Sequence, residues 1–279
     1  MHMTLRDFYT TYLRFPLLDR MLKSALNFYT LLWSCIAGFY FPKNYVRNQK
    51  WEMLQDTYEP DSVAVFKNLI RPGMNVVDLG AHIGYFTRLF AKLVGPKGRI
   101  LAFEADPFIY ALLKKNVRRL SNVDATQVAV SDHCGTLDFY HSEEKSGCGS
   151  TIAELPVSFK RTKISVPAAD LDSLLEAQGI IRVDFIKMDI EGGEAKALKG
   201  MRKTLEQNPA IIMVTEFAPE WLRSGGMEPL TFLNELKSLR FTVYAIISGS
   251  LVPFDPKNEE EMKSLMPTYF MNICCKREG

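Results

Sequence analysis

Two acids bracket a glycine loop. Asp78-Leu79-Gly80-Ala81-His82-Ile83-Gly84 sets a carboxylate two residues ahead of Gly80, and Glu104 follows Gly84 by 20 residues. Glycines between a strand and a helix let a ligand approach the backbone closely. The dinucleotide pattern G-x-G-x-x-G is not met, because His82 stands between the only two glycines. Asp78 would repel a diphosphate and suit a cationic amino-acid group. Glu104 can accept hydrogen bonds from both hydroxyls of a ribose. Acid, glycine loop and acid together favour S-adenosylmethionine over NAD. The plainer alternatives are a tight strand–helix turn with no ligand and, for Glu104, an acid capping the next helix. A second set of acids follows later: Asp189, Glu191 and Glu194 after the run Val183–Met188, and Glu216 after Ala210–Thr215. Acids at the ends of neighbouring strands face one crevice, where they can take a proton or hold a hydroxyl.

The elements that must position these residues alternate. Helices are expected over Asp61–Ile70, Gly84–Val94, Pro107–Leu120 (with Asp106 as N-cap), Leu171–Ala177, Gly193–Gln207 and Pro229–Leu239. Strands are expected over Met74–Asp78, Arg99–Phe103, Val123–Val130, Gly135–Tyr140, Lys163–Val166, Val183–Met188, Ala210–Thr215, Phe241–Ile247 and Thr268–Cys275. Such alternation predicts an α/β fold, a doubly wound, mostly parallel sheet with helices on both faces. No helical pattern separates the last two strands, so the final one is expected antiparallel. His141–Lys160 has little periodicity and reads as a long binding loop or lid.

Composition excludes several classes. The 279 residues are 47% hydrophobic and 24% charged with a net charge of +2, which is neither a disordered tail nor a rod, and gives no reason to expect nucleic acid as a partner. Five cysteines (Cys35, Cys134, Cys148, Cys274, Cys275) form no C-x-x-C pair, so they read as reduced thiols of a cytoplasmic protein, with no metal site called for. Charge is uneven: residues 1–50 carry +5. They read as an N-terminal helical appendage ahead of a main domain over 51–279. In it, Arg20, Lys23, Ser24, Asn27, Thr30, Ser34 and Gly38 share a polar stripe, and Leu22, Leu26, Phe28, Tyr29, Leu32, Trp33, Ile36 and Phe39 fill a broad apolar arc. Leu17–Phe41 is therefore expected either to pack on protein, on the main domain or a second copy, or to lie peripherally on the cytoplasmic face of a membrane, or to span it.

Four ordered motifs resemble the FkbM-type methyltransferases: Val77–Thr87, Ala102–Pro107, Ala129–Asp132 with Gly135, and Val183–Glu194 with Leu198-Lys199-Gly200 following. The resemblance covers about residues 74–275, and one departure is His82, where the family more often has Asn. It implies a Rossmann-like fold of the class I methyltransferase type, S-adenosylmethionine as cofactor, and methylation of hydroxyls on sugars, natural products or lipid-linked acceptors. Cofactor contacts would come from Asp78, Gly80, Ala81, His82, Gly84, Thr87, Glu104, Ala105, Val130, Ser131 and Asp189. Asp189 and Glu216 are the candidate acceptor-side acids, with Glu191 shaping their loop and Glu194 serving a helix N-terminus. The competing readings are N- or C-methylation on the same fold, an NAD-linked oxidoreductase, and a non-catalytic membrane or assembly module. A small-molecule or glycan acceptor and a homo-oligomer are the partners considered.

Overall fold

The computed structural model describes residues 16–43, 45–142, 149–155, 159–266 and 268–277, and in its first helix the side chains at 21, 24, 28–30 and 32–37. Cys148 and the stretches 143–148 and 156–158 of the expected long loop lie outside the described residues. In chain order the strands are β1 (Asn75–Leu79), β2 (Arg99–Glu104), β3 (Val123–Gln127), β4 (Ala129–Val130), β5 (Gly135–His141), β6 (Thr162–Ala169), β7 (Phe185–Met188), β8 (Ile212–Phe217), β9 (Thr242–Ile247), β10 (Ser250–Pro253) and β11 (Met271–Lys276).

Eight of the described strands form one sheet in the order β10-β9-β11-β8-β7-β1-β2-β3. From β3 to β8 neighbours are parallel. β11 slots between β8 and β9, antiparallel to both, the orientation expected of the final strand. β4, β6 and β5 make a second, three-stranded sheet. Central strands of a covered parallel sheet are buried on both faces and read as continuous apolar runs. Among the charges that interrupt those runs are Asp78 in β1 and Lys187 in β7, which the register makes direct neighbours. Helices Pro60–Leu69 and Tyr85–Val94 cover one face, where Phe66, Phe90 and Phe185 meet edge-to-face, Phe66 and Phe90 at 5.1 Å.

The differences from the sequence reading have local causes. Val123–Val130 is two strands, because the chain turns where the Val128 amide donates to Glu104 O at 3.0 Å, and 129–130 then pairs with β6. Gly193–Gln207 is two helices, Glu194–Lys199 and Arg202–Gln207. They part at Gly200, where a Cβ would stand 1.9 Å from Ser131 O. Between β9 and β11 lie β10 and a helix, Glu259–Leu265, which buries only Met262 and so shows little periodicity. Helices Arg47–Leu54 and Pro219–Ser224 were also unanticipated. Residue 50, where the appendage was expected to end, lies inside Arg47–Leu54. Of the described cysteines, all are free thiols, with Cys274 and Cys275 buried.

Candidate active site

The glycine loop is built by contacts that permit no side chain. Gly80 has φ +74°, and a Cβ there would sit 1.8 Å from the Asp189 carbonyl oxygen. The amides of Gly80 and Ala81 both donate to Phe103 O at 3.0 Å, which ties the loop to the end of β2. Glu104 anchors the same turn: one carboxylate oxygen accepts from the His82 amide at 2.8 Å, the other from the Asp106 amide at 2.9 Å. Each oxygen keeps a lone pair for a further donor. Burial pushes the Glu104 carboxyl up to about 7. Asp106 caps the helix Pro107–Val117 through Phe108 N and Ile109 N and also bonds His141 of β5, which pins the second sheet beside this turn.

Asp78 is wholly buried, with Thr87 Oγ1 donating to it at 2.6 Å. Its cationic neighbour is the protein's own Lys187, whose Nζ lies 4.0 Å from Asp78 Oδ1, 3.1 Å from Asp189 Oδ2 and 3.4 Å from Gly80 O. Burial works against the lysine's charge, but Asp189, Asp78 and Glu59 outweigh it and hold the ammonium above its usual range. Lys187 thus braces the glycine loop and the acid after β7 together.

A cavity of about 660 Å³ opens along the carboxyl ends of the parallel strands. Of the residues expected to serve a ligand, Gly80, Ala81, His82, Glu104, Ala105, Val130, Asp189, Glu191 and Glu216 line it. Asp78, Gly84, Thr87 and Ser131 do not: the first three support the loop from behind, whereas Ser131 belongs to the turn after β4, its amide donating to Ala169 O at 2.9 Å. His82 is left-handed at φ +50°, and burial, with Lys187 nearby, pushes its imidazole down to about 4. Near neutrality it is an uncharged ring, and too weak a base to take a proton from an acceptor hydroxyl.

Acids gather at the other end. Asp189, Glu191 and Glu216 each bring a carboxylate oxygen within 4.8 Å of the others, close enough to admit a cation although their sequence spacing shows no metal pattern. Burial, Asp189 and Glu194 drive Glu216 well above the usual carboxylate range. Glu194 sits behind, accepting from the Ile190 amide at 3.0 Å as a helix-start acid, and burial lifts it to about 7. Glu191 is left-handed at φ +55°, and its carbonyl accepts from Ser150 Oγ at 2.6 Å, so the returning end of the long loop fixes the acid turn.

Four contributors were not foreseen. Lys187 could have been noticed as a charge in a buried strand. Glu59, raised by burial and by Asp189, and Tyr58 enter from the turn before Pro60, where no sequence pattern marks them. Phe139 of β5 lines the cavity through the second sheet, whose register no single-strand reading supplies.

Residues 78–243 match the family model described as the methyltransferase FkbM domain. A 2-O-methyltransferase, NoeI, from Sinorhizobium fredii is 29% identical over 185 residues, 61% of this chain and 74% of that protein. The 31-O-demethyl-FK506 methyltransferase FkbM of Streptomyces tacrolimicus is 30% identical over 161 residues, 47% of this chain and 61% of that protein. Among solved structures, a SAM-dependent methyltransferase from Aquifex aeolicus aligns with a TM-score of 0.41 and 16% identity, covering 78% of this chain and 88% of its own.

Proposed function

The chain belongs to the methyltransferase FkbM domain family, and on that premise we propose that it methylates a hydroxyl of a sugar, natural-product or lipid-linked acceptor at the expense of S-adenosylmethionine. The cavity residues fit that cofactor. Glu104 lines the cavity with spare acceptor capacity on both oxygens, and the Gly80 backbone leaves no room for a side chain. Glu104 would hold the ribose hydroxyls; Ala105, Val130 and Phe139 would flank the base; Gly80, Ala81 and His82 would present backbone to the amino-acid arm. Bound there, S-adenosylmethionine supplies a methyl group on a sulfonium centre.

The remaining work falls to the chain's own acids. Glu216 takes the acceptor hydroxyl's proton, because its raised pKa makes it a stronger base than an ordinary carboxylate. Asp189, tied to Lys187, stays fixed and holds a neighbouring hydroxyl of the acceptor. Glu191 shapes the turn between them. Tyr58 and Trp221, both lining the cavity, exclude water from the reacting end. The observation that carries this reading is the single cavity with Glu104 and the glycine loop at one end and the Asp189–Glu216 acids at the other.

Two substitutions separate the ends. Glu104→Ala should weaken S-adenosylhomocysteine binding, read by isothermal titration, by about 1–3 kcal/mol. Glu216→Gln should leave that affinity in place and lower methyl transfer by about 10²-fold or more. Wild-type turnover in Glu216→Gln would remove it as the base, and tight NADH binding without the homocysteine would overturn the cofactor assignment.

A further inference from the structure

Helix Pro16–Ala37 is turned the opposite way from a helix that belongs to a water-soluble surface. Thr30 and Ser34, both small and polar, are on its sheltered side, with Ser34 only 7% exposed and its hydroxyl donating to Thr30 O at 2.8 Å. Among the described side chains of this helix the large apolar ones are open: Phe28 is 69% exposed and Ile36 68%, with Met21 and Leu32 beside them, while Tyr29 and Trp33 are less so, Tyr29 resting on Trp51. At about 100° per residue these six fall within one arc of roughly two fifths of the helix circumference. An amphipathic helix normally buries that arc, so an apolar occupant is missing from it.

Charge selects the occupant. From Arg20 to Lys50 the chain carries five basic residues and no acid. A two-fold contact with a second copy would bring two such segments together and repel. An anionic lipid surface would attract them, while Phe, Leu, Ile, Trp and Tyr side chains enter the headgroup boundary. None of the described helices is long and apolar enough to cross a membrane. We propose that the outward face of helix Pro16–Ala37 docks the enzyme in-plane on an anionic lipid surface.

Docking there reaches the site. Arg88, on the helix that follows the glycine loop, donates to Ala37 O and Gly38 O at 3.0 Å each, clamping the end of the docking helix. Tyr29 packs on Trp51 at 5.6 Å, and on that second helix Gln49 and Met53 line the cavity. The cavity wall is thus the next layer behind the docking face.

The test is flotation of the 279-residue chain with phosphatidylcholine vesicles and with mixed phosphatidylcholine–phosphatidylglycerol vesicles, alongside F28E/I36E. Both substitutions are on the open face, outside the cavity lining, and S-adenosylhomocysteine affinity and the thermal midpoint verify that the variant is folded. The expected result is about tenfold or more enrichment on the anionic vesicles, reversed by salt and lost in a folded F28E/I36E. Absence of flotation at low salt overturns the proposal, and so does equal flotation of the two proteins. A dimer in light scattering that F28E/I36E dissociates, with no flotation of the wild type, overturns it in favour of a second copy.

Discussion

Lys187 is the residue on which the two halves of the site meet. The residue is only 6% exposed, and its ammonium faces Asp189, Asp78 and, further off, Glu59. Removing a buried cation while its acids stay behind leaves uncompensated charge, a loss of about 3–5 kcal/mol. Lys187→Met keeps the bulk against Phe86 and deletes the charge together with its hydrogen bonds to Asp189 and Gly80 O. The loss should be largest near pH 8 and shrink toward pH 5, because Asp78, already raised by burial, becomes neutral more readily once the lysine is gone. Urea melts of both proteins at the two pH values check this. An equal loss at each would mean that Lys187 acts by packing alone. The sequence displays Asp78 and Lys187 as charges inside apolar strands, but it does not display the register Asp78↔Lys187 that makes them partners.

Elements were legible in proportion to how much of their own burial they carry. Helix Tyr85–Val94 buries Phe86, Thr87, Phe90, Ala91 and Val94 at helical spacing, and the central parallel strands β1, β2 and β7 bury every residue or nearly so; both could be read directly. Helices Arg47–Leu54 and Glu259–Leu265 bury one residue each, Met53 and Met262, and leave no period to read. The acids after β7 and β8 were placed on one rim from topology alone, whereas Glu59 and Tyr58 reach that rim by a tertiary approach that no local pattern encodes. Gly200 shows the same limit. It looks like the interior of one long helix, yet the backbone of Ser131 occupies the space a side chain would need, and the carbonyl of Gly200 itself accepts from the Asp172 amide at 3.1 Å. Gly200→Ala should therefore lose about 1–3 kcal/mol, although alanine is the better helix former by about 1 kcal/mol. A urea midpoint equal to or above the wild type's would show that the 131 turn yields freely.

Taken as a whole, the molecule concentrates raised carboxyls around one cavity, and this shapes how its stability responds to pH. Glu104 and Glu194 each reach about 7 in the fold against 4.5 for an ordinary glutamate, both through burial. Between those values the folded chain binds more protons than the unfolded one, so their contribution falls as pH rises through that window. His82 has the opposite sign. Its imidazole drops from 6.5 to about 4, so its contribution is present above 6.5 and is lost as pH falls toward 4. Lys187 is raised from 10.5, so the stability it contributes is lost only above that value and does not change in this range. Going from pH 8 to pH 6, each glutamate adds about 1 kcal/mol and His82 subtracts about 1, leaving a net gain of about 1–2 kcal/mol, which Glu216, raised as well, increases. Urea titrations of the ligand-free protein at pH 8 and pH 6 should therefore give the higher midpoint at pH 6, and Glu104→Gln should reduce the difference by about 1 kcal/mol, since an amide carries no titration. A midpoint that climbs from pH 6 to pH 8 would mean that these carboxyls are ionised in the fold, and Glu216 would then lack the basicity on which proton removal from the acceptor depends.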